Sequence, residues 1–220
     1  MSISPKIDGV SIVMLGSFNP SIINPEWLER HGIINESQKD YALRNPEDVI
    51  HQTLSSFKIA EDIEITTTID RFSIEGEFVR YLEIRDIVVG TFELLEHTPV
   101  TAIGINRHMH FEHARNIDFE NLCETTFSEA HLEDSMESPR ISSLTIVGKR
   151  QDENEGIIRV KIEPSKSKSI DSGVFVSINN HIQGNENKNV DLMKILKNLK
   201  DDDSWVKTCQ FALDLAERLI

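Results

Sequence analysis

The sequence predicts an α+β fold: a curved antiparallel sheet built from two pseudo-repeats, each reading strand, helix, three strands, long helix, with the long helices on one face. Three observations predict it. Ile63, Ile65, Thr67 and Ile69 alternate with Glu64, Thr66 and Thr68, and Ile158, Val160 and Ile162 alternate with Arg159, Lys161 and Glu163. A period of two is the mark of half-buried antiparallel strands. Phe78, Tyr81, Leu82, Val88, Val89, Phe92 and Leu95 recur at helical spacing, as do Trp205, Cys209, Ala212, Leu213, Ala216 and Leu219. Finally, two halves of a single domain spanning 1–220, about 1–97 and 98–220, repeat the same order of elements.

The first strand is the apolar run GVSIVMLGSF (Gly9 to Phe18), closed by Asn19-Pro20. Asn24-Pro25-Glu26 then offers a cap, a proline preset for the first helical position and an acid suited to the positive helix start, so a short helix follows to about His31. Asn45-Pro46-Glu47-Asp48 repeats the device and predicts a second short helix over Glu47 to Thr53, with Glu36 to Leu43 a further helical segment. Half-buried strands occupy Leu54 to Glu77, and a helix Phe78 to Leu95, stopped by Thr98-Pro99. Gly90 costs that helix about 1 kcal/mol against alanine, which points to a close packing contact.

In the second half a strand from Val100 to Phe111 leads to a helix over Phe119 to Phe127. Strands follow at Ile141 to Lys149, Ile157 to Glu163 and Gly173 to His181, joined by the turn QDENEG and the connection PSKSKSIDSG. Helices over Val190 to Leu199 and Trp205 to Ile220 close the chain, with Asp203 or Ser204 as the expected cap of the last.

Composition narrows the function. Against 23 basic residues stand 37 acidic ones, a net charge of −14, and a field of that sign repels phosphate backbones, so direct nucleic-acid binding is not expected. The two cysteines, Cys123 and Cys209, lack partner spacing and fit a reducing compartment. Neither an export signal nor an apolar run long enough to span a membrane is found, so a cytoplasmic protein is expected. Cys123 has acidic neighbours, which argues against a nucleophile. The chain holds no GxSxG elbow, Walker loop, GxGxxG or HExxH, and no cofactor is implied.

One stretch concentrates chemistry: GINRHMHFEHAR, Gly104 to Arg115. In an extended chain Ile103, Ile105, Met109 and Phe111 point to the core, while Asn106, His108 and His110 point to the other face. Arg107 falls among the apolar set, where it must find a carboxylate or snorkel. The segment VSINNHIQG repeats Ile-Asn-x-His and aims Asn179 and His181 the same way. Asn106, Arg107, His108, His110, Asn179 and His181 are therefore candidate binding residues for a protein partner or small ligand. A metal-dependent enzyme with His108, His110 and His181 as ligands, assisted by Glu112 or His113, is the alternative, since strand histidines two apart occur in metal sites. Histidines and asparagines that merely satisfy one another need no function.

The order of elements resembles the saddle-shaped fold of the TATA-binding protein family. The phrases SFNPSIINPEWLERHGII, VVGTFELLEHTPVTAIGINR and EPSKSKSIDSGVFVSINNH resemble a sporadically distributed family of uncharacterised bacterial proteins, and that likeness spans most of the chain. Patchy distribution implies an accessory, immunity, antitoxin or phage-defence role. With the missing catalytic signatures and the uncovered sheet face, the expectation is a non-enzymatic interaction protein that holds a protein partner, basic by charge complementarity. Self-association through the same face is a further expectation.

Overall fold

The structure is a computed structural model and describes residues 4–44, 49–112, 132–152, 154–170, 173–184 and 189–219. The helix expected over Phe119 to Phe127, with Cys123 and His113, lies outside the described residues.

The strands are β1 (Ile7–Gly16), β2 (Val49–Ile50), β3 (Leu54–Ala60), β4 (Ile63–Thr68), β5 (Arg71–Glu77), β6 (Val100–Glu112), β7 (Leu144–Lys149), β8 (Gly156–Pro164) and β9 (Gly173–Gln183). They form one sheet in the order β2-β3-β4-β5-β1-β6-β9-β8-β7, with every pairing antiparallel. The α+β reading holds. Each half contributes its first strand to the middle, where β1 and β6 pair along nearly their whole length. The helices described are α1 (Pro25–Arg30), α2 (Glu36–Arg44), α3 (Tyr81–Leu94), α4 (Leu192–Lys200) and α5 (Asp202–Glu217).

Local chemistry explains most boundaries. Asn24 caps α1 by accepting the Trp27 amide at 2.8 Å, with Pro25 at the first helical position. One expected helix is replaced. Val49 and Ile50 form β2 opposite Ser55 and Ser56, because two β-branched residues close to a strand gain more from pairing than from a turn of helix. The last helix is capped by Asp201, not by Asp203 or Ser204: its carboxylate accepts the Ser204 amide at 2.9 Å, leaving Asp202 and Asp203 in the first turn. Ahead of α3, Phe78–Arg80 form a 3-10 turn, and Leu82 is exposed instead of joining the apolar stripe. At Gly90 a Cβ would lie 3.4 Å from Ile33, an ordinary van der Waals contact, so the close approach expected there is not what the packing requires.

The core lies between one face of the sheet and the helices. Val10, Ile12 and Met14 of β1, Ile103 and Ile105 of β6, Ile63 and Ile65 of β4 and Phe72 and Ile74 of β5 meet Ile84, Ile87, Val88 and Phe92 of α3. Phe72 and Phe92 pack edge to face with centroids 4.9 Å apart. A second cluster joins Met109, Phe111, Val160, Ile162, Val174, Val176 and Ile178 to Ala212 and Ala216 of α5. These residues all have one parity on their strands, so the described helices cover one face of the sheet. The other face carries the opposite parity.

Candidate functional site

Registers across that second face build a line of side chains that no single strand encodes. Lys58 (β3) lies opposite Glu64 (β4), Glu64 opposite Glu75 (β5), and Glu75 opposite Ser11 (β1). Ser11 continues to Asn106 (β6), Asn106 to Asn179 (β9), Asn179 to Arg159 (β8), and Arg159 to Val147 (β7). The middle of this row is hydrogen-bonded: Asn179 Nδ2 donates to Asn106 Oδ1, and Asn106 Nδ2 donates to Ser11 Oγ at 3.0 Å. Asn106 and Ser11 are buried. Gly104 makes the arrangement possible, because a Cβ at that position would lie 2.9 Å from Asn179 Nδ2.

The acidic end of the row sets two carboxylates, Glu64 and Glu75, against one cation, Lys58, which stands opposite Glu64. Glu64 and Glu75 are like charges directly opposite on adjacent strands, an arrangement that destabilises a sheet. Glu64 accepts the Ser56 hydroxyl at 3.2 Å, and Glu75 is exposed. Both line a recess of about 720 Å³ at the β3–β4 turn, with Glu61, Asp62 and Glu77 and with Lys58, Arg80 and His108. Arg80 is engaged by Asp62 at 3.3 Å and Glu83 at 3.2 Å.

At the opposite end the charge is positive. Arg159 and Lys149 are exposed, and Lys161 stands opposite Ser177, held by Glu163 at 2.7 Å.

The histidines divide into a pair and an outlier. His108 Nδ1 lies 3.1 Å from the Ser177 hydroxyl, and His110 Nδ1 lies 2.8 Å from the Ser165 hydroxyl. Phe175 packs against both rings, with centroids 6.1 Å from His108 and 4.7 Å from His110. Burial holds the His108 pKa below the ordinary imidazole value, and the neighbouring His110 lowers it further. His110 is also lowered by burial, against the opposing pull of Glu163. His181 is lowered by burial first and then by Arg159 and Arg150. It sits opposite Gly104, four residues along β6 from His108, a separation of about 13 Å. The three imidazoles therefore do not converge, and among the described residues no three His, Cys, Asp or Glu side chains are placed to hold a metal ion.

Arg107 belongs to the other side of the sheet. It is buried, donates to both carboxylate oxygens of Asp8 at 2.9 and 2.6 Å and to the Cys209 carbonyl at 2.7 Å, and lies 3.6 Å above the Phe78 ring. These contacts tie β1, β6, α5 and the Phe78–Arg80 turn together. The Cys209 thiol beside it is pushed up to about 12 by burial, which leaves it protonated and unreactive.

Of the six residues singled out by sequence, the fold joins Asn106 with Asn179 and His108 with His110, and sets His181 and Arg107 apart. Ser11, Glu64, Glu75 and Arg159 complete the row and were not among them. The fold and site define an α+β protein with a helix-backed sheet and a polar, charge-divided opposite face. No protein-family model matches the chain, and no curated protein matches it. Among the described residues no helix is long and apolar enough to cross a membrane.

Proposed function

We propose that this chain is a non-enzymatic interaction protein whose sheet face opposite the described helices holds a basic surface of a protein partner. The observation that carries the reading is the Glu64–Glu75 pair, two carboxylates opposed on neighbouring strands at the mouth of an acidic recess. Like charges held together cost stability in the isolated chain, and that cost is relieved when a cation settles between them. Lysine or arginine side chains of a partner supply that cation, and the hydrogen-bonded Ser11–Asn106–Asn179 centre gives a rigid polar platform beside it.

Two finer parts of the reading have supports of their own. The central placing of β1 and β6, each beside the last strand of its own half, supports a duplicated saddle of the kind seen in the TATA-binding protein family. The resemblance to sporadically distributed bacterial proteins supports a cytoplasmic accessory, immunity or defence-type subunit.

Binding of a fluorescent decalysine peptide, read by anisotropy, tests the reading. Neutralising the pair with Glu64→Gln and Glu75→Gln should weaken binding about tenfold. The control Asp203→Asn with Asp214→Asn removes the same charge from α5 and should leave binding within about twofold. Equal loss in both variants, or no binding at all, would contradict the proposal.

A further inference from the structure

The face is divided by charge about its own midline. Glu64, Glu75 and Glu77 stand on β4 and β5 to one side of the β1–β6 pair, and Arg159, Lys161 and Lys149 stand on β7 and β8 to the other. Lys58, Arg71, Glu112 and Glu163 are the minority charges; Glu112 is paired with Lys6, and Glu163 and Lys161 pair with each other. A dyad running parallel to the strands between β1 and β6 turns this pattern onto itself. Two copies stacked face to face about it would set β4 of one over β8 of its partner. Glu64 then faces Arg159 and the Asn106–Ser11 centre faces its own copy, with each contact made twice.

Resting on the reading above, we infer that the basic surface this face receives is the β7–β8 side of a second copy of the same chain. The dimensions suit it. The row from Lys58 to Val147 crosses eight strands, about 34 Å at the usual spacing, and with strands some 20 Å long the face approaches the roughly 800 Å² per partner that a stable dimer buries. Two sheets stacked about 10 Å apart leave room for long charged side chains to meet. Leu15 on β1 and Val147 on the edge strand β7, both exposed, add apolar contact to this face. Each chain carries a net charge of −14, so two copies repel at long range. Salt near 0.1 M screens that repulsion over about 10 Å while leaving contacting pairs largely intact, so association should peak at moderate salt and fall at about 1 M.

Light scattering over a concentration series decides the matter through a charge-swap pair. Glu64→Lys with Glu75→Lys makes both sides of the face basic, and Arg159→Glu with Lys161→Glu makes both acidic. Each variant alone should dimerise at least tenfold more weakly than wild type, and an equimolar mixture should recover a heterodimer of near wild-type affinity. If either variant fails to fold by circular dichroism, Glu64→Gln and Arg159→Gln repeat the test with smaller effects. A wild type that stays monomeric throughout, variants that still self-associate, or a mixture that stays monomeric would each overturn the inference. A monomeric wild type whose decalysine binding still requires Glu64 and Glu75 would overturn this dimer alone and leave the binding face standing.

Discussion

Removing the Asp8 carboxylate tests how the two sides of the sheet are held in register. Arg107 sits in the central strand β6 with only 6% of its side chain exposed, and Asp8 retains 18%. Asp8→Ala leaves a buried guanidinium with the Cys209 carbonyl and the Phe78 ring as remaining partners. Breaking a buried pair from one side costs about 3–5 kcal/mol, and the water that still reaches Asp8 places this case near the lower figure, ~3 kcal/mol. For a chain of this size that is a fall of about 6–12 °C in Tm. Urea denaturation of Asp8→Ala, Arg107→Met and the double variant provides the assay. The double variant should be less destabilised than the sum of the singles by at least about 1 kcal/mol, because it removes the orphaned charge along with its partner. Additive losses, or a single loss below about 1 kcal/mol, would refute the claim that Asp8 of β1 neutralises a buried Arg107 charge on β6.

Three further predictions follow from other parts of the fold. Thr67 is fully buried and its hydroxyl has no hydrogen-bond partner among the described residues, so Thr67→Val should raise stability by about 1 kcal/mol in the same assay. Gly104→Ala should push the Asn179 amide out of its bond to Asn106, seen as a shift of both side-chain NH₂ resonances with less than about 2 kcal/mol of destabilisation. His108, His110 and His181 all bind protons less readily when folded than when unfolded. Stability should thus be fully present above the ordinary imidazole value of about 6.5 and decline as pH falls through the lower folded values. His108→Asn should flatten that decline below about pH 6.5, while the lowered carboxyls of Asp152 and Asp201 act only at more acid pH. An unchanged slope would contradict the burial assigned to His108.

The alternation of Ile63 to Thr68 and of Ile158 to Glu163 was enough to place strands and their inward faces, because a two-residue period is a local property. Arg107 was legible in the same way: its parity put it in the core, and an arginine there needs a carboxylate. Its identity was not, since Asp8 lies 99 positions away and meets it only through the β1–β6 register. The binding row escaped for the same reason. Glu64, Glu75 and Arg159 each look like an ordinary exposed residue on its own strand, and they become a line only once five antiparallel registers are fixed. Val49-Ile50 misled because Asn45-Pro46-Glu47 imitates a helix start, whereas the partner that draws the segment into β2 is supplied by β3.

The central claim is that the face bearing Ser11, Asn106 and Asn179 meets other proteins while the helical face does not. Nitrogen-15 NMR spectra of the wild type, recorded on dilution and again on titration with decalysine, address it residue by residue. The account predicts shifts concentrated at Glu64, Glu75, Ser11, Asn106, Asn179 and Arg159, with α3 and α5 unmoved. Shifts confined to the helices, or none on the sheet, would contradict it.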